Sequence, residues 1–293
     1  MAPQPYTGPS AGTVPPATAR RRKKRHPIRR TLLTLLLLWL VFLIGTPVHA
    51  VYESTTVDAM PEGKRPAPQP GTAILLVGSD SREGLSAKQK KKLGTGSISG
   101  RRTDTMMLLY SPPSGKPALI SLPRDSYLPI PGRGKHKLNA AYAYGGPQLL
   151  IKTIEQNTGV RIDGYVEIGF GGFAGVVDAV GGVTVCPKKP IKDRDSHLNL
   201  PAGCQTLDGA TSLGYVRMRK ADPRGDLGRM ERQREVVGKI MKKVASPMSV
   251  INPVRYWQIW HSGMSSVNRA DETGIVQLGT LGLSLRRLAA GDG

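Results

Sequence analysis

The chain is poor in the residues that many catalytic sites use. Its 293 residues include only five histidines and two cysteines, and aromatic side chains make up 5%. No Cys-x-x-Cys or His-x-x-x-His spacing is present, which argues against a thiol redox centre or a structural zinc site. The histidines form no nucleophile-triad arrangement. A Gly-x-x-x-x-Gly-Lys-Ser/Thr loop is also absent, which argues against an ATPase.

Acidic residues are missing from the first fifty positions, where eight of the 42 basic residues lie. The rest of the chain carries 34 basic and 21 acidic residues. A surplus of this size favours an anionic partner, such as nucleic acid, acidic lipid headgroups or an anionic glycopolymer.

The first fifty residues have the pattern of a membrane anchor. Residues 1–30 are predicted to be a disordered basic tail, and residues 31–52 form an apolar run long enough for a transmembrane helix. The positive-inside rule places the amino terminus in the cytoplasm and the remainder outside the cell membrane. A cleaved signal peptide ending near residues 48–50 and a twin-arginine signal at residues 29–30 are alternatives, but the apolar run exceeds a typical signal core.

The two cysteines agree with an exported domain. Cys186 and Cys204 are separated by a polar, proline-containing stretch that predicts a loop. In an oxidising compartment we expect them to form a disulfide, which would contribute about 3 kcal/mol on the chain-entropy model. Two unrelated thiols are the alternative.

The remaining chain predicts one α/β domain. Residues 53–71 are predicted to be a proline-rich linker, and residues 72–246 are predicted to form the main domain, which would carry any catalytic site. Residues 247–293 are predicted to be helices that pack on this domain or extend it. The alternation of elements predicts a layered α/β domain with a mixed sheet. Strands are predicted at residues 72–77, 105–110, 118–122, 165–168 and 183–185, and helices at 139–157, 173–180, 226–245, 252–262 and 272–288.

Arginines and aspartates recur at short spacings between residues 80 and 233. Guanidinium groups bind phosphate oxygens bidentately, and paired carboxylates hold Mg²⁺ against the same phosphates. In an extended segment Arg217 and Arg219 would point to the same side, and Arg229, Arg232 and Gln233 would share one face of the helix that follows. The set therefore predicts a pyrophosphate site, although a single arginine is more commonly solvated or ion-paired.

Asp80 and Asp104 come at the ends of neighbouring predicted strands and together predict a Mg²⁺ site, although each alone would suit a turn or a helix cap. Asp125 either orients Arg124 or takes part in the chemistry. Lys137 either reaches a phosphate or is an exposed lysine.

A glycine-rich run at residues 169–174 (GFGGFA) follows a strand and opens a helix, the setting of a dinucleotide fingerprint. The run is short, and a nicotinamide enzyme would be out of place outside the cell. We therefore predict close packing of a helix beside an apolar pocket.

Several linked motifs between Thr72 and Val244 resemble those of the LytR-CpsA-Psr (LCP) family of cell-envelope glycopolymer transferases. The motifs are GSDSR (78–82), RTDT (102–105), LPRD (122–125), KLNAAY (137–142), VDAVGGV (177–183), YVRMR (215–219) and GDLGRMERQ (225–233). The resemblance implies a three-layer α/β/α sandwich with an apolar pocket for a polyprenyl chain and an arginine-rich mouth for its pyrophosphate. It also implies transfer of a glycopolymer, such as teichoic acid, capsule or arabinogalactan, to peptidoglycan.

These observations give the following predicted site. Asp80 and Asp104 hold Mg²⁺, with Mn²⁺ as a substitute, and Asp80, Asp104, Arg124 and Arg229 are catalytic. The pyrophosphate is bound by Arg82, Arg102, Arg124, Lys137, Arg217, Arg219, Arg229, Arg232 and Gln233. A polyprenyl-pyrophosphate hydrolase, an envelope regulator that binds lipid without transfer, and a nucleic-acid-binding protein are alternatives, and the predicted topology argues against the last.

Overall fold

The computed structural model describes residues 8, 27–80, 86–94, 103–219 and 221–291. The chain divides into two compact units, Met1–Val41 and Phe42–Gly293. The first unit contains the beginning of a long apolar helix whose leucines are exposed, and the second contains the end of that helix and every strand. The predicted disordered tail lies largely outside the described residues.

The second unit contains both helices and strands, which alternate singly over residues 138–185. The strands are β1 (Thr55–Val57), β2 (Thr72–Ser79), β3 (Thr103–Ser111), β4 (Ala118–Leu122), β5 (Tyr127–Ile130), β6 (Gly134–Lys137), β7 (Gly164–Ile168), β8 (Val183–Val185), β9 (Ile191–Asp193), β10 (Leu198–Leu200), β11 (Gln205–Leu207) and β12 (Val267–Ala270). The helices are α1 (Pro27–Tyr52), α2 (Ala87–Lys92), α3 (Leu138–Thr158), α4 (Phe170–Ala179), α5 (Gly209–Arg217), α6 (Asp226–Val244), α7 (Pro247–Ile251), α8 (Pro253–Ser265) and α9 (Ile275–Ala289).

A mixed six-stranded sheet with the order β1-β12-β7-β2-β3-β4 forms the centre of the second unit. β2 pairs with β7 in parallel and with β3 antiparallel. Side chains alternate between the two faces of a strand, so Leu75 and Val77 pack against α3, while Ile74 points to the opposite face, where α9 lies beside β2 and β3. The predicted fold class, a layered α/β sandwich with a central mixed sheet preceded by an apolar helix, is confirmed.

Two apolar clusters stabilise this arrangement. The first lies between α3 and the sheet and includes Leu150, Ile151 and Ile154, which are spaced for one helix face. The helix ends at Gly159, whose φ of 71° lies in the left-handed region that glycine adopts without strain. The second cluster joins α4, α5 and α6 to the small strands β8, β10 and β11.

The segment 53–71, predicted to be a linker, is instead part of the second unit. Its strand β1 pairs in parallel with β12, and Ala59 and Met60 are buried in the first apolar cluster. Arg65 forms an ion pair of 2.6 Å with the buried Glu155 on α3. The prolines therefore direct an ordered chain across the surface, and the segment is not a free spacer.

Several further elements differ from their predictions. The prediction omitted β12, a four-residue strand with no apolar alternation. It also omitted α5, a helix that ends at Arg217, where an extended segment was expected. The disulfide between Cys186 and Cys204 is confirmed. The glycine-rich run opens α4, where a Cβ at Gly172 would collide with the backbone oxygen of Ser266, so it serves close packing as predicted.

The start of α6 is fixed by a buried ion pair. Arg232 is paired with Asp222 and also donates to the carbonyl oxygens of Met218 (2.5 Å) and Tyr215 (3.2 Å). Asp222 faces the backbone of Gly228, where a Cβ would overlap its carboxylate. This contact sets the position of the helix turn that carries the predicted phosphate ligands.

We expect alanine to have opposite effects at two glycines of α6. Replacing a helical glycine by alanine ordinarily stabilises a helix by about 1 kcal/mol, and Gly238→Ala should do so because nothing lies within 4 Å of its Cβ position. Gly228→Ala should instead destabilise the fold by about 2–4 kcal/mol, because it displaces one partner of a buried ion pair. Unfolding of both variants by urea would measure the difference, and equal stabilisation would contradict the proposed contact.

Acid should weaken the ion pair between Asp222 and Arg232. Burial opposes ionisation of Asp222, but hydrogen bonds from the Arg224 amide and Arg232 outweigh it and lower the pKa of Asp222. A carboxylate with a lowered pKa stabilises the fold above its unfolded pKa of about 3.9, and this contribution is lost as the pH falls through the folded value. The Tm of Asp222→Asn should therefore be lower at neutral pH and fall less steeply below about pH 4, whereas Asp58→Asn, at an exposed position, should retain the wild-type profile.

Candidate active site

A cavity of about 260 Å³ opens between β3, β4, the turn after β4 and the first turns of α6. One part of its wall is charged, and the other is apolar. The charged and polar lining includes Asp104, Ser121, Arg124, Asp125, Asp226, Arg229 and Gln233, and the apolar lining is Met106, Met107, Leu122, Pro123, Leu227 and Met230. The cavity therefore suits a ligand with an anionic head and an apolar chain.

A β-bulge directs Asp104 toward this cavity. Gly78 pairs with Thr105 and Ser79 with Thr103, so Asp104 is the extra residue of β3 that has no partner in the register. Bulges re-aim a side chain in this way beside functional sites. Asp80 follows the last residue of β2, directly beside the bulge. The two carboxylates predicted to hold a metal thus come from adjacent strand ends.

Arg124 occupies the turn after β4 and binds the carboxylate of Asp104 at 2.5 Å. Burial disfavours its charge, but the hydrogen bond and charge of Asp104 outweigh burial and raise the pKa of Arg124. Asp125 lies 3.3 Å from the Arg124 guanidinium and 2.6 Å from the Nζ of Lys137. The hydrogen bond from Lys137, followed by the charge of Arg124, lowers the pKa of Asp125. Asp125 therefore positions both cations.

Arg229 is the most deeply buried cation of the cavity. Its Nη2 lies 3.1 Å from Asp226, and its Nε is buried with no hydrogen-bond partner among the described residues. Burial, followed by repulsion from the charge of Arg124, lowers the pKa of Arg229. Gln233, one turn later, also lines the cavity and donates to the Val216 carbonyl oxygen at 3.4 Å. A buried donor without an acceptor is costly, so this N–H is available to an acceptor atom of a ligand.

The other predicted phosphate ligands have different positions. The Nε of Arg219 lies 3.3 Å from the carboxylate of Asp226, which lines the cavity. Arg217 ends α5 and stacks over the ring of Phe170, 4.7 Å from the ring centre, and it does not line the cavity. Arg232 donates to Asp222 and to backbone carbonyls, so it supports α6 and does not face the cavity. Arg82 and Arg102 lie outside the described residues.

The predictions for Arg217 and Arg232 were wrong about direction for two physical reasons. Arg217 and Arg219 do not lie in one extended segment, because Arg217 is helical and Arg219 follows the end of that helix. Arg232 shares a helix face with Arg229, but the buried Asp222 draws its guanidinium away from the cavity. Asp226 was not predicted as a site residue, although its spacing of three residues before Arg229 on α6 could have indicated the ion pair.

The residues present fit a hard cation by their chemistry. Among the described residues no group of three or more His, Cys, Asp or Glu side chains is placed to hold a metal. Mg²⁺, however, is commonly bound through one or two carboxylates together with waters and substrate phosphates. Asp104 lines the cavity beside Arg124, whereas Asp80 follows the end of the neighbouring strand β2 and is not part of the described lining.

Comparisons with known proteins agree with this architecture. The LytR_cpsA_psr family matches residues 48–267, a range that begins in the last turns of α1 and runs to the first residue of β12. The probable cell wall biosynthesis protein LcpB of Corynebacterium glutamicum is 43% identical over 272 residues, covering 91% of this chain and 65% of LcpB. The chain therefore spans about two-thirds of the length of that relative.

Two further matches cover most of both chains. A polyisoprenyl-teichoic acid–peptidoglycan teichoic acid transferase, TagU of Oceanobacillus iheyensis, is 36% identical and covers 79% of this chain and 76% of TagU. The solved LytR-Csp2A-Psr enzyme from Actinomyces oris superposes with a TM-score of 0.64 at 25% identity, covering 82% of this chain and 84% of that one. With the family match extending over most of the second unit, the chain belongs to the LytR-CpsA-Psr family.

Proposed function

We propose that the chain is a membrane-anchored phosphotransferase that moves an anionic glycopolymer from a polyprenyl-pyrophosphate carrier to peptidoglycan outside the cell. This proposal rests on the buried Nε of Arg229, which lies beside Arg124 in a cavity with an apolar wall and has no hydrogen-bond partner among the described residues. A polyprenyl pyrophosphate has the matching parts, since its phosphates can accept from both guanidiniums while its chain contacts Met106, Met107 and Leu122. The relative TagU is named for transfer of teichoic acid to peptidoglycan.

The reaction attaches the sugar-linked phosphorus to a new oxygen. A peptidoglycan hydroxyl attacks that phosphorus, the bond to the bridging oxygen breaks, and polyprenyl phosphate leaves. Arg124 and Arg229 bind the phosphate oxygens and stabilise the charge that develops on the leaving group. Asp80 or Asp104 accepts the hydroxyl proton. Mg²⁺, bound by these carboxylates, would neutralise further charge on the pyrophosphate.

Carboxylates neutralise the two arginines before substrate binds. In the structure Asp104 and Asp125 pair with Arg124, and Asp226 pairs with Arg229. A pyrophosphate fits this site better than a single carboxylate does. Its several oxygens can accept hydrogen bonds from the guanidinium groups of Arg124 and Arg229, including the Nε of Arg229.

Membrane topology completes the proposal. Among the described residues one helix, Ile28–Tyr52, is long and apolar enough to cross a membrane. The basic residues before it and the absence of acidic residues in the first fifty positions favour an amino terminus inside and the second unit outside. That orientation brings the cavity to the compartment where peptidoglycan is found.

Removing either arginine of the pair should abolish most turnover. We expect Arg124→Ala and Arg229→Lys to lower kcat by about 10²–10³-fold, since each removes donors aimed at developing negative charge. Arg229→Lys keeps the charge but loses the Nε donor, so it tests geometry separately from charge. The assay is coupling of a polyprenyl-pyrophosphate-linked glycopolymer to peptidoglycan oligomers by the full chain in lipid vesicles.

The matched control is Arg224→Gln, which removes one positive charge from an exposed residue paired with Glu231, away from the cavity. It should leave coupling within about twofold of wild type. Wild-type activity in Arg124→Ala or Arg229→Lys would contradict the proposed site. Release of polyprenyl phosphate by the wild type without coupling would identify a hydrolase instead.

A divalent cation should be required for coupling. Chelation with EDTA should stop the reaction, and excess Mg²⁺ or Mn²⁺ should restore it, because both ions accept oxygen ligands. Calorimetric titration of Mg²⁺ in the presence of polyprenyl pyrophosphate should show binding that Asp80→Asn and Asp104→Asn each weaken about tenfold or more. Full coupling in EDTA would rule out the metal while leaving the arginine site intact.

A further inference from the structure

The last turns of α1 are fixed directly to the second unit. Thr46, Ala50 and Ser54 are buried there. Arg269 on β12 donates to the Oγ of Ser54 at 2.7 Å and to the carbonyl oxygen of Val51 at 3.4 Å. A cation that caps the carbonyl end of a helix stabilises both partners. The domain is therefore held at the end of the apolar helix without a flexible spacer.

A tyrosine of α8 satisfies a carbonyl that α1 itself cannot satisfy. Pro47 lies inside α1 and has no N–H, so the carbonyl of Leu43, four residues earlier, lacks its helical donor. The hydroxyl of Tyr256 donates to that oxygen at 2.7 Å. An unsatisfied carbonyl costs most where water is absent. The contact therefore indicates that α8 accompanies α1 into a region of low water content.

α8 runs alongside the end of α1 in the same direction. The ring of Tyr256 lies 5.7 Å from that of Phe42, and the ring of Trp257 lies 5.8 Å from that of His49. Further along, His261 lies 3.6 Å from Glu53. The start of α8 is thus level with Leu43, and its end is level with the carboxyl end of α1.

Polarity changes along this pair of helices. The exposed apolar side chains of α7 and early α8 are Met248, Ile251, Val254 and Trp257, which are 41–66% exposed. The ionisable groups Glu53, His49 and His261 gather toward the other end of α8, where the rings of His49 and His261 border Trp257. On the other side, Arg255 donates to the carbonyl oxygen of Val180 and holds α8 to the domain. The apolar face therefore points away from the protein at the end that approaches Leu43.

The length of α1 places this face at a membrane boundary. A hydrocarbon core of about 30 Å needs about 20 helical residues, so a span starting at Thr31 would end near Ala50. Leu43 would then lie about 10 Å inside the outer boundary. Trp39 would lie about 12 Å from the inner boundary, close to the bilayer centre. An apolar face beginning level with Leu43, with Trp and Tyr beside it, matches the composition of the interfacial zone.

We propose that α7 and the first turns of α8 insert into the outer leaflet, where Met248, Ile251, Val254 and Trp257 contact the boundary between lipid headgroups and acyl chains. The partner is the lipid surface, and the proposal rests on the membrane span proposed above. Together with α1, this second contact fixes the orientation of the domain, because a single helix would leave rotation about its axis unconstrained. The polar end with Glu53 and His261 remains in water.

Depth-dependent quenching of tryptophan fluorescence tests this directly. The chain contains three tryptophans, so one full-length variant keeps only Trp257 (Trp39→Phe with Trp260→Phe) and another keeps only Trp39 (Trp257→Phe with Trp260→Phe). Each is reconstituted in phosphatidylglycerol vesicles that carry bromine near the headgroups or deep in the chains. We expect Trp257 to be quenched at least about twofold more by shallow bromine, and Trp39 more by deep bromine.

The surface substitutions provide matched controls. Val254→Asp in the variant that keeps Trp257 should reduce its shallow quenching by about half, because a charge disfavours insertion of the face. Val276→Asp, at an equally exposed apolar position on α9, should leave the quenching unchanged.

Two results would overturn the proposal. Acrylamide dissolved in water serves as the second quencher. If brominated lipid quenches Trp39 while only acrylamide quenches Trp257, α1 spans the membrane but α7 and α8 do not insert into it. If Trp257 is shielded from both quenchers and its shielding depends on protein concentration, a second copy of the chain covers the face. Failure of Trp39 quenching would contradict the span itself, independently of the transferase assay.

Discussion

Two guanidinium groups directed at one small cavity are the constraint on which the site depends. Like charges repel, and burial makes the repulsion stronger because water screens it less. Arg124 and Arg229 tolerate this arrangement because Asp104 and Asp226 each neutralise one of them. The Nε of Arg229, buried without a hydrogen-bond partner among the described residues, is a donor that these ion pairs leave unused. The cavity therefore offers that donor to the acceptor atom of a ligand.

The surrounding structure holds this unfavourable pair in place. The bulge in β3 turns Asp104 out of the sheet toward Arg124. The ion pair of Arg232 with Asp222 fixes the first turns of α6, from which Arg229 projects. Asp104 itself lines the cavity, whereas Arg232 and Asp222 do not, and both devices help to position the two cations. The stability of the surrounding fold therefore holds the two cations in position before a ligand binds.

Sequence patterns predicted the parts of the fold that depend on local periodicity. The strong strand β2 and the helix α3 with its apolar face follow from residue order alone, whereas the stretch between Cys186 and Cys204, predicted to be a loop, contains the paired strands β9 and β10. β12 did not, because its four residues gain their stability from pairing with β1 and β7 far away in the chain. The prediction of the site was limited in the same way. Residue types indicated a phosphate site, but the direction of Arg232 depended on Asp222, ten residues earlier and across a loop.

The rigid end of α1 also bears on how an amphiphilic substrate would reach the cavity. A flexible spacer between residues 53 and 71 would let the domain move away from the bilayer, and the polyprenyl chain would then have to cross water. The chain between α1 and β2 instead pairs as β1 and packs through Met60 and Arg65. With the helix end capped by Arg269, the second unit has a fixed height relative to the end of α1. In the proposed reaction, a carrier lipid would therefore meet a domain whose distance from the bilayer is set by these contacts and not by a flexible spacer.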